Sequence, residues 1–70
     1  MNIKEFNVIA GQTGLELVKG EGYFYWADHK HNADIPSVYV SAFSHLSAES
    51  WLQELNEAIR LQYIESLFEA

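Results

Sequence analysis

The chain opens with apolar residues at helical spacing, namely Ile3, Phe6, Ile9 and Ala10. Asn2 can cap this segment, Glu5 follows at the position that completes a capping box, and Gly11 lies where a helix would stop. The pattern therefore predicts a short helix over residues 3–10.

The apolar period changes to two in LELVK and YFYW, which flank the Gly-Glu-Gly sequence at residues 20–22. These segments predict a β-hairpin with Gly20 and Glu21 as its turn, so that Val18 would face Tyr23. In this register one face is apolar and carries Leu15, Leu17, Phe24 and Trp26. The other face carries Glu16, Val18, Tyr23 and Tyr25.

A third strand is predicted after Pro36, where the sequence SVYVSAF is rich in β-branched and aromatic residues. Val38, Val40 and Ala42 alternate along this segment and would face the core. The hairpin and this strand together predict a three-stranded antiparallel sheet.

The last predicted element is a long helix. Ser47 is suited to cap it, and Glu49 lies in its first turn near the positive end of the helix dipole. Leu46 can pack against Trp51 as a hydrophobic staple. The predicted core stripe comprises Trp51, Leu52, Leu55, Ala58, Ile59 and Tyr63. The order α-β-β-β-α predicts a single α+β domain over residues 1–70, with both helices on one face of the sheet.

Composition narrows the classes of function. Ten acidic and four basic side chains give a net charge of −6, which disfavours direct binding to nucleic acid or to anionic membranes. The chain has no cysteine, its N-terminus lacks the pattern of a secretion signal, and no run of 18 apolar residues occurs. We therefore expect a cytoplasmic protein without a cofactor.

The loop after YFYW carries Asp28, His29, His31 and Asp34. These residues supply oxygen and nitrogen donors, and two histidines two positions apart on an extended segment point the same way, as a zinc or nickel site requires. The same residue types are common in exposed turns. A metal site is thus an open hypothesis, and a solvated loop is the favoured interpretation.

No catalytic motif is present. His45 lies near Ser44 and Ser47, but a serine nucleophile also needs an orienting group and an oxyanion hole, and Ser47 is explained as a helix cap. The Gly-Glu-Gly sequence lacks the lysine of a phosphate-binding loop. We expect no enzymatic activity.

Packing in the predicted core does not explain the aromatic side chains of Tyr23 and Tyr25, because they lie on the other face of the predicted hairpin. Together with Tyr39 of the predicted third strand and with Glu16, they would form a tyrosine-rich surface on the face away from the core. Such a surface suits a protein partner, because tyrosine is enriched at interfaces. The alternatives are a merely solvated face or one that the first helix covers.

The last helix has two further features. Its acidic residues include Glu49, Glu54, Glu57 and Glu65, with Arg60 as its only cation. This excess of negative charge predicts either simple solvation or attraction to a basic surface. A second patch, formed by Leu61, Ile64 and Phe68, lies nearly opposite the core stripe and predicts burial by the N-terminal segment, homodimerisation or partner docking.

Three stretches, ELVKGEGYFYW, PSVYV and HLSAESWLQEL, resemble short proteins encoded by bacteriophages, prophages and plasmids. In its small size, its acidity and its lack of catalytic motifs, the chain more broadly resembles the anti-CRISPR and antirestriction inhibitors that mobile elements encode. The resemblance implies an inhibitor in the host cytoplasm that binds a basic host defence or nucleic-acid-binding protein, with acidic side chains in the place of DNA phosphates. The alternatives are a homodimerising structural or regulatory module that uses the Leu61, Ile64 and Phe68 patch, and a metal-binding protein that uses the histidine loop.

Overall fold

The computed structural model describes the backbone of residues 1–69 and the side chains of residues 1–65 and 67. In chain order its elements are helix α1 (Ile3–Ala10), a 3₁₀ turn (Gly11–Thr13), strand β1 (Leu15–Lys19), strand β2 (Phe24–Asp28), a second 3₁₀ turn (Phe43–His45) and helix α2 (Ala48–Glu69). The prediction of an α+β fold with a short N-terminal helix and a long C-terminal helix is confirmed.

Helix α1 begins with the predicted capping box. The Glu5 amide donates to Asn2 Oδ1 over 2.8 Å, and the Asn2 amide donates to Glu5 Oε1 over 3.4 Å. The α-helix ends at Ala10 as predicted, but the chain continues through the 3₁₀ turn at Gly11–Thr13. Gly14 then adopts a φ of +79°, in the left-handed region that favours glycine, and directs the chain into β1.

The hairpin is confirmed, but its predicted register was wrong. The strands pair two residues further along, with Val18 opposite Tyr25. The turn therefore comprises Glu21 and Gly22 instead of Gly20 and Glu21, and Gly22 adopts a φ of +79°. Because the shift is an even number of residues, every side chain keeps its predicted face.

The predicted third strand is not formed within the part of the chain that the structure describes. Val38 and Phe24 exchange two backbone hydrogen bonds of 2.8 Å each, as an isolated antiparallel bridge. Extending this ladder in one direction would pair Trp26 with Pro36, which has no N–H to donate. In the other direction the Val40 amide donates to the Val38 carbonyl over 3.1 Å, and this tight turn replaces the next rung.

The inner face of the hairpin forms one side of the core. It contributes the four apolar residues predicted from the sequence. Among the side chains that the structure describes, the buried apolar residues are Phe6, Ala10, Leu15, Leu17, Phe24, Trp26, Ile35, Trp51, Leu55 and Ala58. At its centre the Trp51 ring stacks on Phe43 with 5.0 Å between ring centroids and meets Phe24 nearly edge-on at 5.3 Å. The Trp51 indole N–H donates to the Phe43 carbonyl over 2.7 Å, so burial leaves this group satisfied.

The buried stripe of α2 differs from the predicted one. Among the described side chains of this helix, those that are buried are Trp51, Leu55, Ala58 and Gln62. The placement of Leu52 and Tyr63 in the core was wrong, since they are 37% and 63% exposed. The Gln62 side-chain amide instead donates to Asp28 over 2.9 Å and to the Thr13 carbonyl over 2.8 Å. The core thus ends in a polar contact between α2 and the end of β2.

A side chain of α1 makes hydrogen bonds to the edge of β1 that does not pair with β2. Asn7 Nδ2 donates to the Leu17 carbonyl over 3.0 Å, and the Leu17 amide donates to Asn7 Oδ1 over 2.7 Å. The side-chain amide therefore takes the place of a neighbouring strand and holds α1 against the hairpin. No local sequence signal identifies this role, because it joins residues ten positions apart.

Candidate functional site

The tyrosine cluster, which we define as Tyr23, Tyr25 and Tyr39, lies on the outer face of the hairpin. The ring centroid of Tyr23 is 6.0 Å from that of Tyr25 and 6.4 Å from that of Tyr39. Tyr25 is 39% exposed and Tyr39 is 81% exposed. The structure thus brings the three side chains together, although Tyr39 follows a single bridge and does not belong to a strand.

The turn of the hairpin supports Tyr23 directly. Its ring lies over Gly20, where a Cβ atom would be 2.5 Å from the nearest ring atom. Any side chain at position 20 would therefore displace the ring. This contact, rather than the conformation of the turn, accounts for glycine at that position, because the left-handed residue of the turn is Gly22.

Glu16 also lies on the outer face of the hairpin and is exposed. Its Oε1 atom is 3.1 Å from His29 Nε2, and both side chains are more than half exposed. Such a contact is screened by water and contributes little to stability. Glu16 therefore remains accessible on this face, where it lies opposite Ala27 and not opposite Tyr25 as predicted.

The histidine loop is organised by the carboxylate of Asp28. This group accepts hydrogen bonds from the amides of Lys30 and His31 at 3.0 Å each and from the Ala33 amide at 2.9 Å, in addition to the bond from Gln62. Partial burial raises the pKa of Asp28, but the four hydrogen bonds outweigh this effect and lower the pKa to about 2. Asp28 thus acts as a fixed anion that holds the loop.

The remaining loop residues do not converge with Asp28 on a common point. His29 contacts Glu16, His31 is half-buried and Asp34 is exposed. Among the residues that the structure describes, no group of three or more His, Asp or Glu side chains is arranged to hold a metal ion. The geometry is that of a hydrogen-bonded turn.

The serine and histidine residues before α2 also lack a catalytic arrangement. His45 Nδ1 is 3.3 Å from Ser41 Oγ, and both side chains are exposed. Ser47 Oγ accepts a hydrogen bond from the Ser50 amide over 3.1 Å, as a helix cap does. These contacts are explained by local structure.

The acidic residues of α2 are spread along the helix. Glu49 lies in its first turn, Glu54 and Glu57 are exposed near its middle, and Glu65 is half-buried towards its end. Arg60 Nη2 is 3.4 Å from Glu57 Oε1, with both side chains more than half exposed. Since 16 residues of helix span about 24 Å, these four carboxylates do not form one cluster.

A small cleft lies between the middle of α2 and the segment that follows the histidine loop. Its volume is about 80 Å³, and its lining residues are Trp26, Ile35, Pro36, Ser37, Glu54, Glu57, Ala58 and Leu61. The buried side chains of Trp26, Ile35 and Ala58 make its floor apolar. The sequence signal for this feature is weak, because it depends on how α2 meets a loop.

Comparison with protein-family models, with curated proteins and with solved structures finds no match to the chain. The resemblance to phage and plasmid proteins therefore stays a prediction. Across residues 1–69, no helix combines the length and the apolar character needed to cross a bilayer.

The apolar patch predicted on α2 is only partly described. Leu61 is half-buried, packs against the core and lines the cleft, whereas Ile64 is 36% exposed. The side chain of Phe68 lies outside the described residues. The described contacts of Leu61 are therefore those of a core residue.

Proposed function

We propose that this chain is a non-enzymatic interaction protein that binds a protein partner through the tyrosine cluster. The observation that carries the proposal is the convergence of Tyr23, Tyr25 and Tyr39 on an outer face of the hairpin, where Tyr39 is 81% exposed. These rings contact one another and are not members of the core. Large aromatic groups that the fold does not bury are typical anchors of protein interfaces.

The partner is expected to present a basic surface. The chain carries a net charge of −6, and it exposes the carboxylate of Glu16 on the hairpin and those of Glu54 and Glu57 on α2. Complementary charge steers encounter and selects among partners. A host defence or nucleic-acid-binding protein meets this requirement. We propose that the chain is an inhibitor encoded by a phage or another mobile element.

Affinity capture from a bacterial host lysate tests the proposal. The immobilised wild-type chain should retain a basic protein at low salt and release it at about 0.5 M NaCl, where screening weakens contacts between charges. The Tyr39→Ala variant should lose this protein, because the most exposed ring of the cluster is removed. Chemical unfolding of both proteins checks whether they are equally folded.

The matched control is Val8→Ala on α1, which removes an apolar side chain that is 68% exposed and far from the cluster in sequence. It should retain the partner as the wild type does. Equal retention by Tyr39→Ala would contradict a role for the tyrosine cluster. A mass of about twice 8.0 kDa in light scattering at tens of micromolar would instead identify a homodimer.

A further inference from the structure

The cleft between α2 and the segment at Pro36 combines an apolar floor with two carboxylates at its rim. We propose that it receives one arginine side chain of the basic partner, with the aliphatic stem on the floor and the guanidinium between Glu54 and Glu57. This inference rests on the proposed function, because it specifies the chemistry that the partner contributes. It uses residues that are separate from the tyrosine cluster.

The size of the cleft limits what it can hold. Sites for whole small molecules are typically about 300–1,000 Å³, whereas this cleft measures about 80 Å³. A single side chain inserted from a second protein is the occupant that fits this volume. The floor of Trp26, Ile35 and Ala58 would pack against methylene groups, which suits the long stem of arginine.

The residues around the cleft explain why it is not filled by the protein's own side chains. Ala58 is the smallest side chain in the buried stripe of α2, and it leaves space beside Trp26. Pro36 has no N–H, so the bridge at Val38 does not continue as a strand that would close this edge of β2. The cleft is therefore a consequence of local sequence.

The charges at the rim select a cation. Glu54 and Glu57 are three residues apart on α2, so their side chains are neighbours on one side of the helix. Arg60 already places a guanidinium 3.4 Å from Glu57, which shows that this carboxylate accepts such a group. That contact is exposed and weak, so a partner's arginine can replace it. Arginine is favoured over lysine because its planar fork can bond two carboxylates at once.

Titration with N-acetyl-L-arginine methylamide, followed by two-dimensional NMR of the folded chain, tests the inference. The indole N–H signal of Trp26 and the amides of Glu54 and Glu57 should shift saturably at millimolar to tens of millimolar probe. The indole signal of Trp51, which is buried in the core, should not move and serves as the internal reference. N-acetyl-L-citrulline methylamide at equal ionic strength is the neutral isostere and should bind at least about fivefold more weakly, because it lacks the charge-assisted bonds.

Two variants locate the binding. The double substitution Glu54→Gln and Glu57→Gln should weaken arginine binding by about fivefold or more, since both acceptors lose their charge. Glu49→Gln removes one exposed carboxylate from the first turn of the same helix and should leave the affinity unchanged. Each variant should preserve the Trp51 indole shift if its core is intact.

Several outcomes would overturn the inference. These are equal binding of the arginine and citrulline probes, unchanged affinity in the double variant, and shifts that do not saturate or that spare Trp26. None of these outcomes bears on the capture experiment with Tyr39→Ala, so the cleft and the tyrosine cluster can fail independently.

Discussion

The two faces of the hairpin contain alternate residues of the same strands and have opposite surroundings. Leu17 and Phe24 on the inner face are each 1% exposed, whereas Tyr25, the next residue along β2, is 39% exposed. The inner side chains pack against α1 and α2, whereas on the outer face the Tyr23 ring contacts the rings of Tyr25 and Tyr39. Stability and recognition are therefore expected to depend on different residues, which substitutions can separate.

The largest effect is expected from Phe24→Ala on the inner face. Removing this ring leaves a cavity beside Trp51 and should lower the free energy of unfolding by about 3–5 kcal/mol. Tyr25→Ala on the outer face should cost less than about 1 kcal/mol while weakening partner binding. Urea unfolding of both variants measures the difference, and equal losses of stability would abolish the distinction between the two faces.

The edge of β1 offers a test of intermediate size. Asn7→Ala removes both hydrogen bonds to Leu17 and should lower the free energy of unfolding by about 1–3 kcal/mol, less a small gain in helix propensity. The Leu17 amide should exchange with solvent faster by the corresponding factor. Asn56→Ala, an exposed position of α2, measures the propensity gain alone. An unchanged exchange rate at Leu17 would show that Asn7 does not close this edge.

Acid sensitivity tests the polar end of the inner face. The pKa of Asp28 is about 2 in the folded chain against an ordinary value of 3.8, so its ionised form stabilises the fold. This contribution is complete above about pH 4 and is lost as the pH falls towards 2, and screening by solvent limits it to roughly 1–2 kcal/mol.

Asp28→Asn should therefore lower stability at neutral pH and flatten the decrease between pH 4 and 2. Unfolding measured across this range checks the prediction. The control Asp34→Asn changes an exposed carboxylate and should leave the profile as in the wild type. A profile for Asp28→Asn that still falls as steeply would assign the acid sensitivity to other carboxylates.

The parts of this fold that follow from side-chain alternation and local capping could be predicted. The capping box at Asn2 and the buried faces of the strands depend on neighbours within four residues or on a period of two. The hairpin register could not be fixed in this way, because shifts of two residues preserve both faces. The turn was misplaced for that reason, and the glycine at position 22 provides the left-handed conformation.

The remaining differences come from contacts between distant segments. The third strand does not form because Pro36 has no N–H to donate and the Val40 amide donates to the Val38 carbonyl. Both effects depend on the pairing of Val38 with Phe24, which are 14 positions apart in the sequence. Gln62 belongs to the buried stripe of α2 because its side-chain amide donates a hydrogen bond to Asp28, which lies 34 positions earlier in the sequence. Alternation along the hairpin predicted that Tyr23 and Tyr25 share a face, whereas Tyr39 joins them next to the single bridge at Val38 and not from the predicted strand. The cleft depends on the packing of α2 against a loop.

The smallest expected change in stability is also the most direct test of the outer face. Gly20 is not in the left-handed region, so the backbone accepts alanine, and the atoms nearest to the added Cβ are those at the far end of the Tyr23 ring. Gly20→Ala should alter the free energy of unfolding by about 0.5 kcal/mol or less while moving this ring and disrupting the tyrosine cluster. The chemical shifts of the Tyr23 ring protons should change, and partner retention should fall as in Tyr39→Ala.

The matched control for this substitution is Gly11→Ala at the end of α1, where an added Cβ has no atom within 4 Å. It should stabilise the chain slightly, by about 0.4–1 kcal/mol, because alanine restricts the unfolded state more than glycine does. It should leave partner retention intact. If Gly20→Ala moves the Tyr23 ring yet retains the partner fully, the arrangement of the rings is irrelevant to binding, and the outer face would differ from the inner face only in being exposed.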